Sequence, residues 1–427
     1  MAEIDQLHAL EILDSRGRPT LKVWCRLASG AEAAASVPSG ASTGKAEALE
    51  LRDGDPGRYG GLGCRKAVGH VRHEIHNAVR GRAFTSQQEF DACLLALDGT
   101  ANKSRLGANA LLGASLAFAR ASARESGDAL FRHFARMAGS EGRGTLPRLT
   151  VNLFSGGKHA GGQVAVQDVL LVPVSCRTTE ESLAMIYAVY QSASMLIARK
   201  YGSRALKADE GGLAPEFPHT EAMLADAVEA IEAAGYRPGT EMALAVDVAS
   251  SQFFCDGRYE IDGERLFSEQ MIGRLRSWVD RYPIVSVEDG LAENDWEHWP
   301  ALRAALGEKC LVVGDDFLCT NPGRIARAIS EKCATALLLK VNQIGTVSEA
   351  AEAARLVREA GWQVTISARS GETEDDWLAD LAVGWGGDQI KIGSITQSER
   401  LAKYNRLLEI EAETRLPVVN WPSAISL

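Results

Sequence analysis

Residues 361–376 read GWQVTISARSGETEDD, and this stretch decides the fold. Val364 and Ile366 alternate as in a buried strand. Ser367 to Ser370 forms a short charged turn, and a helix is expected to open directly after it, with free backbone amides ahead of Glu372. Arg369 is a fixed, forked cation and Ser370 a small hydroxyl; with amides at a helix start they suit a phosphate oxyanion. A β/α barrel places its site at strand ends of this kind.

Working outward, the same unit recurs: an apolar run, a polar residue at its C-terminal end, then a helical pattern. Leu244–Val246 ends at Asp247, Ile284–Val287 at Glu288 and Ala336–Leu339 at Lys340. Leu311–Val313 leads to Asp315, and Gln389–Ile390 ends at Lys391. Six such ends predict a β/α barrel whose polar termini meet at one mouth.

The N-terminal part follows another pattern. Ile4 to Ala28 alternates around the turn Asp14-Ser15-Arg16-Gly17, and Gly30 to Val37 reads as a third strand, so a meander opens the chain. Pro38–Gly44, PSGASTG, is expected to be a mobile loop without packing value. Glu47–Arg52 and Cys64–Arg80 read as helical, with His70 and His73 on a solvated face and not a metal site. Gly107–Ala123 predicts a buried helix. A boundary in Gly139–Gly144 divides the chain into an α+β capping domain, 1–140, and a barrel, 141–427.

The chain has 427 residues, 46% of them apolar, enough for a large core. A net charge of −10 argues against a nucleic-acid surface, so an anionic ligand must be held locally. No apolar run approaches membrane-spanning length, and MAEIDQLHAL lacks the basic and apolar regions of a signal peptide. The eight cysteines form no CxxC pair and read as packed, reduced thiols, which predicts a cytoplasmic setting.

Asp247, Glu288 and Asp315, on three consecutive strand ends, offer only hard oxygen ligands, suited to Mg²⁺ and not zinc. Singly each could cap a helix; together they repel unless a cation sits among them. Lys340 and Lys391 in the same mouth are expected to depress each other's pKa, leaving one able to act as a base. Glu210, in the glycine-flanked loop ADEGG, is too exposed to be a core residue and is a candidate acid.

The ordered stretches DSRGRPT, PSGASTG, ALELRDGD, DGTANKS, ADEGGLAP, IVSVEDGLAENDW, LLLKVNQIGT, SARSGETED, QIKIGS and ERLAKYN resemble enolase (phosphopyruvate hydratase) from Asp14 to about Glu411. The resemblance implies an α/β protein, an N-terminal α+β domain capping a TIM-type barrel, that dehydrates 2-phosphoglycerate or a close analogue as a cytoplasmic homodimer or higher homo-oligomer with two Mg²⁺ ions. It makes Asp247, Glu288 and Asp315 ligands of the first ion and Ser42 of the second. Lys340 matches the base, Glu210 the acid, Arg369 and Ser370 the phosphate clamp, and Lys391 a carboxylate contact. His159 and Asp168 match two further substrate-facing positions.

Three positions depart from the pattern. Ala368 replaces an imidazole, Asp168 a glutamate, and Lys158 stands where Glu or Ser is common. These changes suit a larger phosphono- or phosphocarboxylate, as handled by the enolase-like relative carboxyphosphonoenolpyruvate synthase of phosphinate natural-product pathways. A non-catalytic enolase-like binding protein is a third reading, disfavoured because binding alone needs no base and acid together. The tail from Glu413, with TRLPVVNWPSAISL in place of the usual basic ending, is assigned no role.

Overall fold

The computed structural model of the chain describes residues 1–41, 43–140, 144–202 and 206–420. The opening meander is as expected: β1 (Ala2–Leu13), β2 (Pro19–Leu27) and β3 (Glu32–Ser36), with β4 (Ala83–Phe84), form an antiparallel sheet in the order β3-β2-β1-β4. Along β1 the buried set passes from Ala2 and Ile4 to Leu7 and Ala9, a change of parity that a strict alternation forbids. A register shift between Ile4 and Gln6 absorbs it. The helix Ala108–Glu125 lies on the sheet with nearly all its residues buried. Its Gly113 sits so close that an added Cβ would lie 2.4 Å from Val23 Cγ2.

Eight strands close the barrel, two more than the repeat suggested: β5 (Arg148–Ser155), β6 (Asp168–Pro173), β7 (Met242–Asp247), then β11 (Ile284–Glu288), β12 (Leu311–Gly314), β13 (Ala336–Leu339), β14 (Gln363–Ser367) and β15 (Gln389–Gly393). A small sheet of β8 (Phe254–Cys255), β9 (Arg258–Ile261) and β10 (Glu264–Leu266) is inserted after β7. Strand β6 runs antiparallel to both β5 and β7. It is reached by a hairpin and not by a helical crossover, so its polar mouth residue, Asp168, precedes the apolar run, whereas in the recurring unit it follows. Alternate residues face opposite sides: Leu311, Val313, Ala336 and Leu338 form a separate cluster, while Val312, Leu337 and Leu339 join the main core.

The first residues of the tail seal the barrel floor. Leu146 N donates to Pro417 O at 2.9 Å, Val419 N to Leu146 O at 2.8 Å, and Arg148 Nη2 to Val419 O at 2.6 Å. Residues 421–427 lie outside the described residues, as do 141–143 of the boundary segment.

One expected helix is absent and another starts later than expected. Residues 47–52 are extended because their backbone pairs with distant segments: Ala48 N donates to Gln343 O and Leu49 N to Asn102 O, each at 2.8 Å, and Leu49 O accepts from Ala108 N. After the turn at Ser367–Ser370 the next helix starts only at Trp377. Nor are the intervening amides free. Gly371 N donates to Ser39 O at 2.9 Å, Glu372 N to Ser15 Oγ at 3.3 Å, and Arg369 N to Glu372 Oε1 at 3.1 Å. The Ser39–Gly371 bridge also anchors the loop that was expected to be mobile: Ser39 is buried, and a Cβ on Gly44 would lie 2.4 Å from Cys319 Sγ.

All eight cysteines are unpaired; six are buried, Cys93 is half-buried and Cys255 exposed. Gly113→Ala, which forces the helix away from Val23, is expected to lower stability by about 1–3 kcal/mol, measured by urea unfolding.

Candidate active site

Strand ends bring the predicted carboxylates and cations together at the mouth. Asp247 and Glu288 are the last residues of β7 and β11, paired across the ladder, and Asp315 follows β12. Strand order makes the three neighbours. The lysines follow β13 (Lys340) or sit within β15 (Lys391), and Arg369 and Ser370 follow β14. All of these residues except Lys340 are buried.

Charge is matched locally. Lys391 Nζ donates to Asp247 Oδ2 at 2.8 Å and to Glu288 Oε2 and Oε1 at 2.8 and 3.0 Å. Lys340 Nζ donates to Asp315 Oδ2, whose other oxygen accepts from Gln343 Nε2 at 2.8 Å. The trio thus divides between two lysines. Burial pushes Glu288 well above the usual carboxylate range, helped by the Asp247 charge beside it. Burial opposes ionisation of Asp247 too, but the Lys391 ammonium holds it below its ordinary value.

The expected mutual depression of the lysines is not found. Burial lowers both, and Arg369 and Lys391 lower Lys340, yet Asp315 raises Lys340, and Asp247 and Glu288 raise Lys391 well above its ordinary value. Adjacent carboxylates outweigh a like charge farther off. A carboxylate cluster in which Glu288 resists ionisation is short of positive charge, and its oxygen-only donors fit a hard divalent cation. Asp289, Asp315 and Asp316 also bring carboxylate oxygens within 4.8 Å of one another. Asp289 accepts from the Asp315 and Asp316 amides at 2.8 Å each and fixes that corner. Ser42 lies outside the described residues.

Next to Asp247 and Lys391 stand the groups carried by β5, β6 and the loops packed on them. Because β6 is antiparallel, its N-terminal residue Asp168 lies beside Asp247 at the catalytic end. Asp168 accepts from Ser155 Oγ at 2.6 Å, and its other oxygen is 2.9 Å from His159 Nδ1. His159 Nε2 lies 4.0 Å from Glu210 Oε1, and Glu210 Oε2 accepts from Asn152 Nδ2 at 3.1 Å. Glu210 is therefore buried, contrary to the reading of its loop; the ADEGG turn folds back onto β5 through Leu213, whose N–H donates to Leu153 O. Burial favours a neutral imidazole, but Asp168 and Glu210 push His159 up to about 9. Burial raises Asp168, and Glu210, facing His159 and Arg400, is held below its usual range despite its own burial.

The turn after β14 is built from three directions. Arg369 Nη1 and Nη2 each donate to one oxygen of Glu47 at 3.2 Å, a bidentate grip on an oxyanion, and Nη1 also donates to Asn342 Oδ1 at 2.8 Å. Ser370 Oγ accepts from Ala41 N at 2.7 Å and from Arg16 Nη1 at 3.1 Å. Ala368 is buried, its N–H donating to Lys391 O at 2.8 Å. Lys158 is exposed, with its N–H on Gln252 Oε1 at 3.3 Å, on a groove beside the mouth.

Glu47, Asn152, Asn342, Gln343, Asp289 and Arg16 take part without having been read as site residues. Arg16 and Gln343 stand inside matched motifs, and Asp289 follows Glu288 directly; those positions were the available signals. Glu47 was hidden by the mistaken helix.

Residues 4–134 match the family model "Enolase, N-terminal domain", and residues 143–418 the model "Enolase, C-terminal TIM barrel domain". The chain belongs to the enolase family. It is 47% identical over 416 residues to "Enolase 1" of Methylococcus capsulatus and 48% identical over 415 residues to "Enolase" of Desulfotalea psychrophila. Each alignment covers 96% of this chain and 97% of the relative. As an enolase-family protein it is a metal-dependent hydro-lyase that carries out enolase-type dehydration.

The protonated His159 stabilises the fold below its unfolded pKa of about 6.5, and that contribution, about 3 kcal/mol, is lost as pH rises through about 9. In metal-free buffer the stability gap between the native protein and His159→Gln is expected to shrink steadily over pH 6.5–9, read from urea midpoints.

Proposed function

We propose that this enzyme removes water from 2-phosphoglycerate to give phosphoenolpyruvate, with two Mg²⁺ ions, acting as a cytoplasmic homodimer. Residues 1–140 would cap the catalytic barrel of residues 141–427. The observation that carries the reading is the convergence at one mouth of the Lys340–Asp315 and Lys391–Asp247–Glu288 clusters with the His159–Asp168–Glu210 cluster. Lys340 stands at the end of β13 and Glu210 on a loop packed on Asn152 of β5, with two strands between β13 and β5 in the closed order, which supports a ligand lying between base and acid.

Arg369 and Ser370 bind the phosphate; the bidentate hold of Arg369 on Glu47 supports its fitness for an oxyanion. Lys391 takes the substrate carboxylate. Lys340 removes the proton next to that carboxylate. Glu210, held ionised, takes up a proton from the His159 imidazolium, whose Nε2 lies 4.0 Å from its Oε1, and passes it to the leaving hydroxide. Divalent ions held by Asp247, Glu288 and Asp315, with Ser42 assigned to the second from its motif, would stabilise the dianion and take up the Asp315 charge that keeps Lys340 protonated. Enolase-superfamily sites pair a Lys or His base with Mg²⁺ in the same way.

With Mg²⁺, purified protein is expected to turn over 2-phosphoglycerate, followed by ultraviolet absorbance of the enolpyruvyl product. Lys340→Ala should lower kcat by about 10²–10⁴-fold. A folded protein inert on this substrate but active on an analogue bearing a carboxylate on phosphorus would transfer the assignment to the larger substrate. Chelation is expected to abolish turnover, and Mg²⁺ to raise the melting temperature of native protein but not of Asp247→Asn.

A further inference from the structure

The ERLAKYN stretch, Glu399–Asn405, lies in the helix Ser398–Thr414, and no side chain of it was given a part in binding or proton transfer above. Its Arg400 is fully buried at 0% exposure. Nη1 donates to Arg369 O at 2.6 Å and to Ile392 O at 3.0 Å, and Nη2 to Ser370 O at 2.6 Å. One planar fork therefore binds the turn after β14 and the strand β15. Gly393, at φ +120, lies against it: an added Cβ there would sit 2.9 Å from Arg400 Cδ and 2.9 Å from Glu210 O. Ser394 N in turn donates to Glu210 O at 2.8 Å.

Packing alone does not call for an arginine here. The same helix docks elsewhere through Leu407 and Ile410, both fully buried, and a buried cation is costly compared with an apolar side chain of similar volume. What the guanidinium adds is a rigid, permanently charged fork matched to several carbonyls at once.

We propose that Arg400 is a positioning residue for anion binding, clamping the carbonyls of Arg369, Ser370 and Ile392 so that the phosphate turn keeps its aim and its register with the strand of Lys391. The inference rests on the reading of Arg369 and Ser370 as the phosphate clamp.

Arg148 provides the comparison. It is also buried, at 2% exposure, and donates to Pro173 O, Cys176 O and Val419 O, but at the barrel floor. The experiment measures kcat, KM for 2-phosphoglycerate with Mg²⁺, and urea midpoints for Arg400→Lys, Arg148→Lys, Arg369→Gln and the Arg400→Lys/Arg369→Gln double variant. Arg400→Lys is expected to raise KM about tenfold, whereas Arg148→Lys lowers the urea midpoint and leaves KM within about twofold. The double variant should bind no more weakly than Arg369→Gln alone, as expected of a residue acting through Arg369. A KM within about twofold of native for Arg400→Lys, or effects that multiply in the double variant, would overturn the proposal. An unchanged KM in Arg369→Gln would instead overturn the clamp reading, and the inference with it. If Arg400→Lys does not fold, Arg400→Gln is judged by the same two criteria.

Discussion

Neutralisation of buried carboxylates by buried lysines is the constraint on which the mouth depends. Asp247, Glu288 and Asp315 stand on neighbouring strand ends, and the neutral donors beside them, Gln167 on Asp247 and Gln343 on Asp315, carry no charge to offset theirs. Lys391 and Lys340 answer this need from β15 and the end of β13. The arrangement is fully paired yet not relaxed, since Glu288 still resists ionisation. A lysine shared by two acids holds the site together while leaving it receptive to a cation of higher charge.

The capping segment belongs to the same balance. Glu47 faces Arg369, Arg16 and the Ala41 amide hold Ser370, and Ser39 bridges to Gly371. The anion-binding turn is thus a joint product of both parts of the chain. Its fit is close: a Cβ on Gly371 would lie 2.2 Å from Asp14 Oδ2 and 2.7 Å from Ser39 O.

Much of this was legible in the sequence because parallel strands flanked by helices announce themselves as apolar runs ending in a polar residue. Asp247, Glu288, Lys340 and Lys391 were visible on that ground alone. Strand β6 was not, because it runs antiparallel and its polar mouth residue precedes the apolar run instead of ending it, and Asp168 was placed only through the family pattern. Local pattern also misled at Glu47–Arg52, where a helical spacing lost to pairing with Asn102, Ala108 and Gln343, partners that no local window contains. Side-chain protonation was the least readable layer. Glu210 looked exposed and the lysines looked depressed, because burial and the nearest counter-charge belong to the assembled mouth and not to any segment.

The bond from Ala41 N to Ser370 Oγ joins positions 329 residues apart. On a chain made from its N-terminus at roughly 5–20 residues per second, the loop is synthesised some 20–60 s before the turn it must meet. During that interval the opening sheet can form, but the anion site has no second half. A nascent or prematurely terminated chain therefore lacks the assembled turn after β14, which is completed late, with the last barrel strands.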